Sequence, residues 1–352
     1  MNPPFRADHV GSLLRPSGLA QARERKDLAF QQQAIREVVA KQEAIGLQSI
    51  TDGEFSRDWW HLDFLAALEG VTLRANPGPK FGGTQEQPPI PAVTGKLRYG
   101  RPIMLEDFSF LKKATARTAK FTIPSPSMLH LRAGRAGISR EVYPDMEAFW
   151  EDAAAAYRAA VAAFADAGCQ YLQLDDVAFA YLCDPKIRDN CRRNGDDPET
   201  LPARYARTIN QALEARPGGM TITMHTCRGN FKSAWVAEGG YEPVAEAMFS
   251  TNVDGFFMEF DSARAGGFEP LRLVPRGKRV VLGLVSSKTG ALESKADLKR
   301  RIEEAEKHVP LEDLCLSPQC GFSSTLHGNQ LTQDEQWRKL ERVMEVAKEV
   351  WN

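Results

Sequence analysis

The sequence predicts an α/β protein, a (β/α)8 TIM barrel with an insertion between its second and third strands. Three observations lead there. Eight short apolar runs punctuate the 352 residues, and each is followed by a helical pattern or room for one. The runs are near-continuously apolar, as suits a parallel sheet covered on both faces. No G-x-G-x-x-G follows the first run, which removes the usual dinucleotide-binding form of the competing doubly wound sheet. Single barrels routinely take up about 250 residues or more, so one barrel domain over 1–352 accounts for the chain.

The expected strands are Phe5–Val10, Gln48–Thr51, Lys120–Ile123, Tyr171–Leu174, Thr221–Met224, Gly255–Phe260, Val280–Val285 and Leu314–Ser317. They are four to six residues long, rich in β-branched or aromatic side chains, and mostly bounded by turn residues. The clearest helical patterns are Gln32–Ile45, Met146–Ala167, Pro202–Ala215, Lys295–Lys307 and Asp334–Val350. In the second, Phe149, Ala153, Ala156, Ala160, Ala163 and Phe164 recur at helical spacing, and Gly168 is a stop signal. Asp334 is the expected N-cap of the last helix. Val71–Lys113 breaks the alternation: it holds Pro77, Pro79, Pro88, Pro89, Pro91 and Pro102, with Gly82-Gly83 and a hairpin expected around Ala92–Pro102. This is the insertion, placed near one barrel rim, where it could border the mouth or contribute to a subunit contact in a homodimer.

Composition narrows the function classes. Lys+Arg 45 against Asp+Glu 46 leaves a formal charge of −1, so no bulk attraction to nucleic acid or anionic membrane is expected. No apolar run approaches the roughly 18 residues of a membrane span. Met1–Arg15 is polar where a signal peptide would be apolar, and six irregularly spaced cysteines make no disulfide scaffold. A reduced, cytoplasmic protein is expected.

In a parallel barrel, catalytic groups sit at the C-terminal ends of strands. The fifth strand ends in His225-Thr226-Cys227, the sixth at Glu259, and the eighth at Cys320. Residues two apart in an extended segment point to the same side, so His225 and Cys227 can converge. Two thiols, one imidazole and one carboxylate from three strand ends form a tetrahedral set suited to zinc. The alternatives are a chance H-x-C, Cys320 as a small buried hydrophobe, and Glu259 paired with Arg264 or Arg228. Cys169, Cys183, Cys191 and Cys315 read as structural thiols. Asp52 and Glu54 follow the second strand, and Asp175-Asp176 ends the fourth. Carboxylates there could hold a substrate ammonium or move a proton. Asp176 could instead cap the next helix, which leaves Asp175 to face the mouth. Trp59, Trp60 and His61 could wall a ligand or pack the second helix against the barrel. His130 and His308 form no constellation and read as surface or loop residues.

Taken in order, His9-Val10-Gly11-Ser12-Leu13, Thr51-Asp52-Gly53-Glu54-Phe55, Leu172-Gln173-Leu174-Asp175-Asp176, Met224-His225-Thr226-Cys227, Met258-Glu259 and Ser317-Pro318-Gln319-Cys320-Gly321 resemble the catalytic barrel of cobalamin-independent methionine synthase. More closely, they are similar to its stand-alone single-barrel relatives. The resemblance implies zinc as cofactor, held by His225, Cys227, Glu259 and Cys320. It implies that Glu54 and Asp175 hold the amino group of homocysteine, with Ser12 nearby in the substrate pocket.

Coordination to a cation deprotonates a thiol, so the metal would act as thiol activator and not as a source of hydroxide. Two departures from the long family stand out. A length of 352 residues leaves no space for a second barrel, and the segment after the seventh strand, Gly283–Lys288, carries no histidine. Lys288 or His327 could stand in for it.

The expected function is therefore zinc-dependent methyl transfer to homocysteine, giving methionine. The partner would be a methyl-tetrahydrofolate, a methyl-corrinoid or another small methyl donor. The alternative is a thiol transferase that opens another electrophile, as epoxyalkane:coenzyme M transferases do. A carboxylate pair suited to an ammonium favours homocysteine over a sulfonate. A third reading is a barrel that has lost catalysis and keeps a structural metal or a binding role; the intact set of four ligands argues against such decay, since a binding scaffold needs none of them. A glycosidase using two carboxyls leaves His225, Cys227 and Cys320 unexplained.

Overall fold

A computed structural model describes residues 2–76 and 88–351. The parallel sheet has seven strands, each adding to the next in chain order: β1 (Ser49–Ile50), β4 (Thr118–Pro124), β5 (Tyr171–Asp176), β6 (Thr221–Thr226), β7 (Gly255–Glu259), β8 (Arg279–Val285) and β9 (Leu314–Pro318). A separate antiparallel pair, β2 (Glu69–Arg74) and β3 (Ile90–Arg98), lies in the chain between β1 and β4. The architecture is α/β with a curled parallel sheet. Helices Leu28–Ala44, Met146–Asp166, Leu201–Leu213, Lys295–Glu306 and Gln333–Trp351 follow the sequence pattern closely. Among the described residues no helix is long and apolar enough to cross a membrane.

The first expected strand is not one. Phe5–Val10 makes a single parallel bridge, Ala7 with Leu316 of β9. At that bridge the Asp8 N–H donates to the Leu316 carbonyl at 3.0 Å and the Leu316 N–H to that of Arg6 at 2.8 Å; side chains serve other polar groups of the segment and compete with a ladder for the backbone. Asp8 accepts from the N–H groups of Phe5 and His9 at 3.1 and 2.8 Å. Gln173 Nε2 donates to the Val10 carbonyl at 2.8 Å, and Lys120 Nζ donates to that of His9. On the β1 side, Ser49 Oγ donates to Asp8 at 2.7 Å, and the His9 ring lies 3.3 Å from the Ser49 carbonyl. The segment thus sits between the two edge strands, bonded to both.

Two local expectations are corrected. β3 pairs back onto β2, not forward to Pro102, while Pro77, Pro79, Gly82 and Gly83 fall outside the described residues. Thr332, not Asp334, caps the last helix. Its hydroxyl accepts from Glu335 N–H at 3.2 Å while Glu335 accepts from Thr332 N–H at 2.7 Å, a reciprocal capping box.

A polar network crosses the buried face of the sheet. Lys120 and Asp8 are fully buried and paired at 3.3 Å, and Tyr171 donates to Asp8 at 2.9 Å. The ammonium also lies 3.9 Å from the centre of the Phe257 ring, beside the cluster of Val10, Phe257, Val281 and Cys315. Burial lowers the Lys120 pKa, and Asp8 opposes the shift. Removing one member of such a pair strands a buried charge. Lys120→Met is expected to destabilise the fold by about 3–5 kcal/mol in urea unfolding, and adding Asp8→Asn should recover part of the loss.

Candidate metal and substrate site

In-register pairing builds the site. Asp175 of β5 lies opposite His225 of β6, and both are the last inward groups before their strands end. The His225 ring is fixed from both sides, Nδ1 at 3.3 Å from Asp175 Oδ1 and Nε2 at 3.3 Å from the Gln319 carbonyl. Gln173, two residues before Asp175 on the same face, donates to Asp175 Oδ1 at 2.7 Å.

Past the ends of β6 and β9, Cys227 and Cys320 bring their sulfurs to 3.7 Å. The donor atoms of His225, Cys227 and Cys320 all lie within 4.8 Å of one another, and all three residues are buried. Two sulfurs bound about 2.3 Å from one tetrahedral centre would lie roughly 3.8 Å apart, so the trio fits a zinc ion in spacing as well as in donor softness. Gly321 lets Cys320 approach the first segment: a Cβ there would fall 1.9 Å from Ser12 Oγ. Ser12 is bonded to the same turn, its carbonyl accepting from Phe322 N–H at 2.9 Å and its hydroxyl from Ser323 N–H at 3.3 Å.

Glu259 stands apart from the trio. Its Oε2 accepts from the Arg228 N–H at 2.6 Å, and its Oε1 is ion-paired with Arg264. Burial would raise its pKa, but the charges of Lys288, Arg228 and Arg264 hold it below the usual carboxylate range.

Glu54 adopts a left-handed backbone, φ 61°, which is uncommon for a residue with a side chain and clusters at functional sites. Its Oε1 accepts from Thr122 at 3.2 Å, and its Oε2 is buried without a partner. Burial, opposed by Arg57 and reinforced by Asp175 and Asp52, pushes its pKa up to about 7. Asp52 serves the turn, accepting from Glu54 N–H at 2.9 Å and Ser56 Oγ at 2.7 Å. Asp176 caps the helix that follows it, accepting from Ala178 and Phe179 N–H at 2.6 and 3.2 Å, and is bonded to Ser125 and Ser127.

One pocket of about 590 Å³, open solvent included, joins these groups: Ser12, Glu54, Asp175, His225, Cys227 and Cys320 all line it. Trp59, Trp60 and His61 line it as well, with Trp59 stacked on Phe231 at 6.0 Å and 11°. Burial, with the nearby Arg132, keeps the His61 pKa well below normal. Phe231, Asn230 and Arg132 also border the pocket and were not singled out in the sequence. They come from irregular loops, where no periodicity marks the inward residue. Lys288 donates to the Gly229 carbonyl at 2.9 Å and to Asn230 at 3.3 Å, and His327 packs edge-on to Trp59 and Phe231. His130 is a correction: it is buried, bonded to Tyr205 at 2.9 Å and facing Asp196 at 3.4 Å.

A family model for the catalytic domain of cobalamin-independent synthases matches residues 13–349. The chain belongs to the cobalamin-independent methionine synthase family. Membership implies an enzyme of the methyltransferase class. The chain is 48% identical over 361 residues to the uncharacterized Bacillus subtilis protein YxjH, covering 99% of this chain and 95% of that one. It is 23% identical over 292 residues to the Pyrococcus abyssi methionine synthase, covering 81% and 74%. A Listeria monocytogenes crystal structure, provisionally assigned as a vitamin-B12-independent methionine synthase, is 40% identical with TM-score 0.79 over 100% of this chain and 99% of that one.

The thiols differ in character. Its hydrogen bonds with Cys227 and His225 outweigh burial and lower the Cys320 pKa well below normal, whereas burial pushes Cys169, Cys183 and Cys315 up to about 12. Brief iodoacetamide treatment of chelator-treated protein at neutral pH should therefore modify Cys320 before those three, as read by peptide mass spectrometry.

Proposed function

We propose that this chain is a zinc-dependent thiol methyltransferase that converts L-homocysteine to methionine. The observation that carries the reading is the convergence of His225, Cys227 and Cys320 on one buried point in the same pocket as Glu54 and Asp175. The Phe5–Val10 segment, at the seam of the curled sheet, would complete a single (β/α)8 barrel domain with residues 71–113 inserted. The protein would work in the cytoplasm, with no nucleic acid or membrane as partner.

His225, Cys227 and Cys320 would hold the zinc; bound there, it would keep a substrate thiol deprotonated and nucleophilic at neutral pH. Asp175 at Nδ1 would orient the imidazole and fix its tautomer, leaving Nε2, which lies 3.3 Å from the Gln319 carbonyl, to turn to the metal. Glu54 and Asp175 would take the substrate ammonium. Glu54 Oε2 has no partner in the protein, and a buried carboxylate oxygen in that state gains most from an incoming donor. Ser12 lies beside Cys320-Gly321 and would bound the carboxylate end. Trp59 and Phe231 offer a flat apolar wall for the carrier of the methyl group, which would be a methyl-tetrahydrofolate, a methyl-corrinoid or a smaller donor.

The deciding experiment is turnover of L-homocysteine by zinc-loaded protein, with methyl-tetrahydrofolate and methylcobalamin offered in parallel. Methionine from either supports the reading and identifies the donor class. Cys227→Ala or Cys320→Ala should remove bound zinc and activity together, and full turnover by a zinc-free double variant would overturn the proposal. Glu54→Gln should raise the KM for homocysteine roughly 10- to 100-fold, the worth of one charged hydrogen bond.

Ammonium binding needs ionised Glu54. With a pKa of about 7, that form is depleted as pH falls below it. Affinity for L-methionine, which has no thiol to titrate, should weaken towards tenfold per pH unit below that point. Calorimetry across the range should show this slope flattened in Glu54→Gln.

A further inference from the structure

Arg132 is the only arginine or lysine among the described residues that line the pocket, and neither the metal trio nor the ammonium site uses it. We infer that its guanidinium holds an anionic group, a carboxylate, sulfonate or phosphate, on the molecule that delivers the methyl group. The inference rests on the methyltransferase reading above and names the chemical class of the second substrate.

The guanidinium is built into the pocket wall. Beyond β4 the chain turns at Pro126–Leu129, and Arg132 lies just past that turn. The turn is fastened to Asp176, which accepts from the hydroxyls of Ser125 and Ser127. Next in the chain, buried His130 is held 2.9 Å from Tyr205. The His130 carbonyl accepts from the N–H groups of Ala133 and Gly134 at 3.1 and 2.7 Å, so the chain closes tightly around Arg132. The neighbouring strand end supplies the brace. Tyr181 closes the short helix Ala178–Tyr181 beyond β5 and is 3% exposed. Its hydroxyl accepts from Arg132 at 3.2 Å, and the guanidinium carbon lies 5.0 Å from the centre of its ring.

Two charges of opposite sign thus serve different parts of one pocket. The charge of Asp175 acts on Glu54, whereas that of Arg132 acts on His61 and Tyr181. Burial and Arg132 together keep the His61 ring neutral, so it adds no second cation. The amino-acid thiol has its ammonium at Glu54 and Asp175 and its carboxylate near Ser12, which leaves Arg132 to the second molecule. The chemistry asks for a cation there. Methyl transfer forms the S–C bond and breaks the bond from that carbon to its carrier, whose electron pair stays on the carrier. The carrier becomes one unit more negative as the bond breaks, and a fixed cation favours that change. A planar guanidinium also offers two parallel N–H groups to a carboxylate or phosphate, which an ammonium does not.

The test uses the full-length chain saturated with L-methionine, so that the thiol side is filled. Inorganic phosphate, methanesulfonate and acetate are added in turn, with neutral acetamide as control, and binding is read from NMR line broadening of the added molecule. At least one anion should bind and acetamide should not, the tightest anion naming the group on the carrier. Arg132→Met should weaken that anion roughly 10- to 100-fold, the worth of one charged hydrogen bond. Arg132→Lys should recover part of the loss, because it keeps the charge without the fork. Tyr181→Phe, which removes the brace and keeps the ring, should weaken the anion about threefold, on the scale of one neutral hydrogen bond. Calorimetry should find L-methionine affinity in Arg132→Met within about twofold of the unsubstituted chain, as expected when no contact is lost.

Equal anion binding by Arg132→Met and the unsubstituted chain would overturn the inference, as would a parent that binds none of the three. So would a loss of L-methionine affinity in Arg132→Met as large as the loss expected for the anion. That result would assign the guanidinium to the carboxylate of the amino acid. Should Arg132→Met fail to fold, unchanged anion affinity in both Arg132→Lys and Tyr181→Phe would overturn the inference equally. Failure of the methyltransferase reading is distinguishable, because the anions need neither zinc nor turnover to bind. A chain that forms methionine while its Arg132 variants bind anions normally sinks the inference alone. A chain that binds anions through Arg132 and forms no methionine keeps the anion site and sinks the reading beneath it.

Discussion

Register between parallel strands is the constraint on which the site depends. Because β5 and β6 pair so that Asp175 faces His225, the carboxylate that would bind substrate also orients the ring that would bind metal. A slip of one residue in either strand would turn its side chain to the opposite face and part the two. The same ladder carries through β7 and β8 to β9, and the end of β9 delivers Cys320 to within 3.7 Å of Cys227. Metal and substrate groups are therefore parts of one rigid arrangement, set by backbone pairing that lies well below the pocket.

That pairing in turn rests on a polar interior. Between the edge strands β1 and β9 the chain does not complete a hydrogen-bonded strand. Asp8, Lys120, Tyr171 and Ser49 do the joining instead, each buried and each bonded. Buried charge in such a network has to be paired, and His9 adds no further charge. Its ring is held neutral, with burial and the nearby Lys120 lowering its pKa to about 4, so the interior carries one cation and one anion in contact. On the β9 side the seam is joined by two backbone bonds to Leu316, and on the β1 side by the side chains of Ser49, Asp8 and His9.

What could be read from the sequence follows from this division. The apolar runs that became β4 to β9 were legible because period and composition agree with burial on both faces. His225, Cys227, Cys320, Glu54 and Asp175 were legible as strand-end polar groups, and Gln173 was visible in principle from its two-residue offset to Asp175. Phe5–Val10 misled because its backbone pairs with β9 at a single bridge, while on the β1 side the Asp8 side chain takes the bond from Ser49. Asp334 misled because the cap was decided by a reciprocal bond between Thr332 and Glu335. His130 is buried by Tyr205 and Asp196, 75 and 66 residues away in sequence. No local pattern encodes such contacts, and the same holds for Thr122 against Glu54, whereas the pairing of Glu259 with Arg264 was open to the sequence.

Charge balance ties the pocket together. Glu54 and Asp175 are close enough that the charge of Asp175 raises the Glu54 pKa, yet Asp175 already has a partner in His225. Glu259 is neutralised by Arg264. Glu54 has the Arg57 guanidinium nearby, yet burial leaves it poised near neutrality with one oxygen unpartnered. A proton or an ammonium can fill that need, and the two would compete for one place. A ligand that brings its own cation would displace the proton and pair with that oxygen. A sulfonate or a plain carboxylate would instead add a further anion beside Glu54 and Asp175. Under the proposed function, a preference for an amino-acid thiol over an acidic one would then follow from the ionisation of Glu54 beside Asp175.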